Sequence, residues 1–220
     1  MDNNTKNKNP VYWLVLLLAA IVFIGSFTSY ISDKWMRHSE LTCVISSVDG
    51  NRYCVRKTRA NNKTTQQAAD RIAVVTQKCL LLVNKLAEKH PEDIRAQRLK
   101  QRFDPTVMSE ILPTDTHTAV TSNKGERVEF CLNRNAGVKH TEDTMIDDET
   151  LYFVALHELS HIAYTGEGHE VNYWNTFAWL LHEAEALNLY TPRDYSKTPR
   201  SYCGDRIAEN PYYNNNHVTV

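Results

Sequence analysis

The chain's 220 residues predict an α+β domain behind one membrane-spanning helix, and three observations carry that expectation. Residues 11–31, VYWLVLLLAAIVFIGSFTSYI, contain no charge. At about 1.5 Å per residue that run makes a helix of roughly 31 Å, the hydrocarbon thickness of a bilayer. Next, short β-rich runs with turn signals alternate with long stretches of helical periodicity. Finally, residues 157–161 read HELSH inside an apolar helix, with two histidines one helical turn apart.

Composition bounds the rest. A hydrophobic share of 42% and a charged share of 23% describe a globular chain with room for one ordinary domain. The net charge of −1 excludes a general polyanion binder, so nucleic acid is not an expected partner. Charge is unevenly placed: residues 51–102 hold thirteen Lys and Arg against four acids, and residues 141–192 hold ten acids without one Lys or Arg. The two halves are expected to complement each other's field within one fold.

Taken in order, residues 1–10 read as a disordered Asn-rich tail and residues 11–31 as an uncleaved anchor. Lys6 and Lys8 before the span are balanced by Lys34 and Arg37 after it. The free amino end, with Asp33 and Glu40 on the far side, places the N-terminus inside and the main domain on the extracytoplasmic or lumenal side. Residues 32–63 form a juxtamembrane segment and a β-hairpin turning at Asp49-Gly50. The main domain is expected over 64–212, and 213–220 as a flexible tail.

Within that domain Thr64 and Gln67 fit a capping box opening a helix of about 25 residues. Ala68, Ile72, Val75, Cys79, Leu82, Val83 and Leu86 form its core stripe, and Pro91 stops it. EDIRAQRLKQRF is a shorter helix. Residues 116–133 predict two strands around Asn123-Lys124-Gly125, with Val128, Phe130 and Leu132 on one face and Cys131 on the other. Either a core hairpin or an edge strand receiving an extended peptide fits residues 126–132. Asp147, Asp148 and Glu149 open a helix over 148–164 that is apolar nearly all round, hence buried. Gly166 and Gly168 break it, and a further helix runs from about 169 or 170 to 188. The Tyr- and Pro-rich remainder reads as an ordered wrap rather than another element.

The five cysteines show no CxxC spacing, which excludes a ribbon-type zinc site and leaves one thiol over unless it pairs between chains. Cys43 and Cys54 flank the first hairpin and can bridge if the domain is lumenal or extracellular. Cys79 on the helix stripe is a buried free thiol.

His157 and His161 present two imidazoles to one point, the geometry that tetrahedral Zn²⁺ asks of a helix. Glu158 lies about 100° round and reaches a water beside the ion without taking a ligand position. A third ligand is required. His169 follows the turn TGEG, whose glycines let the chain reverse; Glu183 or Glu185 is the other candidate, with Glu183 able instead to act as an acceptor behind the ligands. His182 has no second histidine at the needed spacing.

HELSHIAYTGEGHEVNYW resembles zinc metallopeptidases of the WLM and SprT-like group, whose pattern is HELxH, a short turn, Gly-His and an aromatic pair, here Tyr173 and Trp174. NKGERVEFCL, GHEVNYWNTFAWLLHEA and the late YCG and NPYY are also similar to predicted membrane-anchored metallopeptidases of large DNA viruses and protists, so the resemblance covers about residues 45–212. It implies a zincin-like α+β fold with one Zn²⁺ per chain on His157, His161 and His169, and Glu158 as general base. A protein or peptide is then the substrate, the membrane is met through residues 11–31, and the alternative is an inactive zincin-fold interaction protein. The resemblance departs at the anchor and at the lack of a DNA-reading module, so the DNA-linked substrates of that group do not carry over. Peptide deformylases pair HExxH with an upstream Cys, which would be Cys131, but their EGCLS-like motif is absent.

Overall fold

The computed structural model describes residues 10–57, 61–112, 117–134 and 144–213. It separates into two compact units, Met1–Ser39 and Glu40–Val220. The first contains most of α1, Pro10–Glu40, whose apolar side chains are exposed from Val11 to Ile31. With an 18-residue stretch of mean hydropathy 2.3, none of it buried, α1 is long and apolar enough to cross a membrane, a test that an N-terminal signal sequence also passes. The helix does not stop at residue 31: SDKWMRHSE continues it, held in part by Arg37 Nε donating to Asp33 at 3.0 Å.

The second unit mixes helix and sheet. It opens with the hairpin β1 (Leu41–Ile45) and β2 (Arg52–Arg56), turning through Gly50 at φ +73° and placing Cys43 directly opposite Cys54, which are disulfide-bonded. α2 (Asn62–Lys89) buries every residue of the predicted stripe. Its cap is Asn61, not Thr64: the Asn61 side chain accepts from Thr64 N, and Thr64 is the reciprocal third-position partner. Both residues can cap, and Asn61 is met first along the chain. α3 (Ile94–Arg102) follows with Asp93 as its cap.

A three-stranded sheet comes next, in the order β3 (Met108–Glu110), β5 (Arg127–Phe130), β4 (Ala119–Ser122). β5 is therefore central, which corrects the reading of residues 126–132 as an edge strand; the edge on that side is β4. The missing signal was β3, three residues long and parallel to β5, too short to show a period of two. With neighbours on both sides, β5 is buried on both faces. Glu129 and Cys131 are as buried as Val128, Phe130 and Leu132, and Cys131 bonds to Cys203. Arg56 locks the first hairpin onto this sheet. Its backbone N–H donates to Glu110 Oε2 at 2.8 Å and its guanidinium Nε donates to the Ile111 carbonyl at 2.7 Å.

α4 (Asp148–Ala163) and α5 (Val171–Ala186) complete the domain core with α2. The C-terminal segment is more than a wrap, for β6 (Arg200–Tyr202) and β7 (Asp205–Ile207) form a second hairpin. It turns at Cys203-Gly204, both at positive φ, and is stitched to the end of β5 by Cys203 N donating to the Asn133 carbonyl at 2.8 Å. The Tyr202 hydroxyl accepts from Cys131 N at 3.0 Å and donates to the Thr118 carbonyl at 3.1 Å. Cys79 is the free, buried thiol, as its place on the stripe implies.

The two crosslinks close loops of very different length, with sequence separations of 11 and 72. In the loop-entropy picture that is about 3 kcal/mol for Cys43–Cys54 and about 4 kcal/mol for Cys131–Cys203. Chemical denaturation of the Cys131→Ser/Cys203→Ser double variant should therefore show the larger loss of stability, and Cys43→Ser/Cys54→Ser the smaller.

Candidate metal centre

Two elements and the turn between them build the site. Asp147 caps α4, accepting from Thr150 N at 3.1 Å and pairing with Arg193, so the helix starts where its negative residues suit the dipole. α4 is then buried over most of its surface, with Leu151, Phe153, Leu156, Leu159 and Ile162 packed into the core and only the edge at His157 and His161 partly open. That packing fixes where positions 157, 158 and 161 point.

The structure brings His157, His161 and His169 together. One ligand atom from each lies within 4.8 Å of the others, and His157 Nε2 and His169 Nε2 are 3.2 Å apart. The N···N edge of a zinc tetrahedron with about 2.05 Å bonds is roughly 3.3 Å, so this pair already has the spacing that one ion needs. All three rings are held neutral. Burial pushes His157 down to about 3, and the neighbouring His161 and His169 add to it. Burial likewise takes His161 to about 4, helped by His169 and Lys124, and lowers His169. Neutral imidazoles keep their lone pairs free, and a closed set of three nitrogens with no carboxylate suits Zn²⁺.

An aromatic wall backs the cluster. Tyr173 stacks on His161 with ring centroids 4.4 Å apart, and its hydroxyl donates to the His157 carbonyl at 3.1 Å. Trp174 lies beside His169 at 5.6 Å, and Phe177 meets His157 edge-on at 5.3 Å. Tyr173 is one turn into α5, so this contact fixes the angle at which α5 leaves the turn.

Glu158 is 2% exposed, and burial pushes its carboxyl up to about 7. Thr121 of β4 opposes that shift by donating its hydroxyl to Glu158 Oε2 at 2.7 Å. Thr121 escaped sequence reasoning because it is 36 residues from HELSH and only strand pairing brings β4 alongside α4. The remaining candidates fall elsewhere. Glu183 accepts from Lys89 Nζ at 2.8 Å and faces His90 Nε2 at 2.9 Å. It sits ten residues, about 15 Å of helix rise, beyond Tyr173 and is no partner of the three histidines. His182 stacks on Tyr212 at 4.2 Å, and Cys131 is spent in its disulfide. Among the tyrosines outside α5, Tyr202 is occupied by Thr118 and Cys131, and Tyr195 is fully buried against Phe153. Tyr164 stays at the rim, its ring 6.3 Å from that of Tyr173.

A family model described as the WLM domain matches residues 62–219. An uncharacterized protein of Acanthamoeba polyphaga mimivirus is 25% identical over 205 residues, covering 90% of this chain and 96% of that protein. No solved structure matches.

The folded-state shifts set the pH behaviour of the metal-free protein. His157 and His161 titrate near 6.5 when unfolded and far lower when folded, so below pH 6.5 the unfolded chain takes up protons that the folded one refuses. Stability is lost as pH falls, by at most about 1.4 kcal/mol per pH unit for each ring. Glu158 acts oppositely: its raised value costs stability above about 4.5 until the penalty is complete above about 7. Thermal melts of chelated protein should show Glu158→Gln more stable than the parent at pH 8, and falling more steeply between pH 7 and 5.

Proposed function

Because the chain belongs to the WLM domain family, we propose that it is a zinc-dependent peptidase of zincin-like fold, held at a membrane by α1. One observation carries the reading: three neutral imidazoles lie within reach of a single ion, and the buried carboxylate of Glu158 follows the first of them in the same helix. His157, His161 and His169 would hold the metal. Bound there, Zn²⁺ supplies a Lewis acid and makes water nucleophilic near neutral pH.

The chain's own groups do the remainder. Glu158 takes a proton from the attacking water and returns it to the departing amine, a task for which a carboxyl poised near neutrality is suited. Thr121 holds Glu158 Oε2 and so fixes which carboxylate oxygen faces the water. The backbone of β4 supports an extended peptide as substrate. Cys131 N donates to the Thr118 carbonyl, which makes 118, 120 and 122 the positions bonded to β5 and turns the peptide groups of Ala119 and Thr121 toward the outer edge. A peptide adding there would run past the metal centre by strand addition. A descendant without turnover would have no use for a buried glutamate at that cost in stability, which favours the active reading over the inactive one.

Two disulfides among the described residues favour an oxidising compartment, with the N-terminal tail on the cytoplasmic side of the anchor. Alkylation of unreduced, denatured protein should then label one thiol per chain, that of Cys79; labelling of five would place the domain on the reducing side.

The decisive measurement is metal content with peptidase activity on the full chain in detergent. One zinc per chain is expected in the parent and in Glu158→Gln, with activity in Glu158→Gln down by 10²-fold or more. His169→Ala should lose zinc and Glu183→Ala should keep it. A metal-free parent with no activity would end the enzyme reading.

A further inference from the structure

His157 and His161 are placed by a helix packed into the core, but His169 is not. It is exposed, precedes the first residue of α5, and lies in a segment held by few backbone bonds. Among the described residues, no hydrogen bond between backbone groups begins or ends on residues 165–169. Gly168 adds a left-handed step at φ +70° immediately before the histidine. Something other than secondary structure has to hold that imidazole over α4.

Two side-chain ties span the gap. Tyr164, the first residue after α4, donates its hydroxyl to Glu170 Oε2 at 2.8 Å, joining the two ends of the turn. The hydroxyl end of its ring crowds Gly166, where a Cβ would collide with it; the position therefore has no room for a side chain while the tie is made. From the other side Lys124 Nζ donates to the Gly166 carbonyl at 2.5 Å, with its ammonium 5.8 Å from the centre of the Tyr164 ring. Lys124 is itself aimed by an uncommon turn. Asn123 and Lys124 sit at φ 47° and 57°, a left-handed conformation that is uncommon for a lysine. Gly125 follows at φ +121°, where a Cβ would come within 2.9 Å of the Arg102 carbonyl.

We propose that Tyr164, Glu170 and Lys124 are positioning residues for the third metal ligand: the Tyr164–Glu170 tie and the Lys124–Gly166 tie form a clasp that holds His169 at ligand distance. The inference rests on the metal-site reading above and deepens it. His169 stands directly before Glu170, so opening the clasp frees the imidazole without touching α4. The clasp also joins the β4–β5 turn, beside the proposed peptide edge, to the ligand-bearing turn.

Zinc affinity of the full chain in detergent, measured by competition with a chromophoric chelator, tests the clasp. Tyr164→Phe and Glu170→Ala should each weaken zinc binding about tenfold, the low end of what the loss of a group supporting a ligand costs. Their double variant should be no weaker than either single one, since both remove the same bond. Gly166→Ala should match them, because its methyl pushes the ring off Glu170. Lys124→Met should add its own loss to Tyr164→Phe. Cobalt supplies a readout that a purely structural role would leave alone: the visible spectrum of the Co²⁺ form should change in Tyr164→Phe while the melting temperature of the metal-free protein stays within about 2 °C of the parent. Parent-like zinc affinity and cobalt spectrum in Tyr164→Phe and Glu170→Ala would overturn the clasp and leave the metal site standing. A parent chain that binds no zinc would overturn both.

Discussion

The domain is arranged around one expensive choice, the placement of two half-buried imidazoles and a fully buried carboxyl on a helix packed into the core. A charge left alone in such a place is costly, and the molecule meets that cost by keeping all three groups near neutrality. Burial holds His157 and His161 far below their usual range and lifts Glu158 to about 7. The same burial that opposes charge also removes freedom, so the three groups enter one small volume with their directions already set. A helix exposed on one face could carry HELSH at lower cost but with less precise aim.

The surrounding elements follow from that choice. Leu151, Phe153, Leu156 and Ile162 anchor α4 in a core shared with the α2 stripe of Ile72, Val75, Leu82 and Leu86. The sheet approaches α4 along β4, and from it Thr121 supplies the polar partner seen on the Glu158 side chain. β4 is in turn fixed at its start by Tyr202, whose hydroxyl bridges Thr118 and Cys131, and the Cys131–Cys203 crosslink fastens that hairpin to the end of β5. The C-terminal hairpin is thereby coupled to the strand that supplies the Thr121 bond to Glu158. His169 is the exception to this rigidity, since a turn rather than a helix delivers it, and the Tyr164 and Lys124 ties compensate.

How much of this was legible depended on the range of the interaction. α4 was readable nearly to the residue because Asp147, Asp148 and Glu149 act on the backbone that follows them and because all-round apolarity has one meaning for a helix. The α2 stripe was readable for the same reason, although its cap was placed three residues late where Asn61 and Thr64 carry equivalent chemistry. β3 was not readable: a strand of three residues has no pattern of its own and exists only because β5 pairs with it. The same pairing made β5 central rather than an edge. Glu183 matched a plausible ligand spacing, yet a straight α5 carries it away from the cluster to Lys89 and His90.

Read alone, the sequence marks the helices, the turns at Gly50 and Gly125 and the trio His157, Glu158 and His161, because each depends on residues within a turn or two of one another. It also favours His169 over Glu183 as the third member of the cluster, and the structure gathers His169 with His157 and His161 while Glu183 lies with Lys89 and His90. Legible only in the tertiary structure are Thr121 as partner of Glu158, the Cys131–Cys203 pairing, and the central place of β5 between β3 and β4. Each of those depends on groups brought together from distant parts of the chain, and such meetings are set by how helices and strands pack, which local periodicity does not encode.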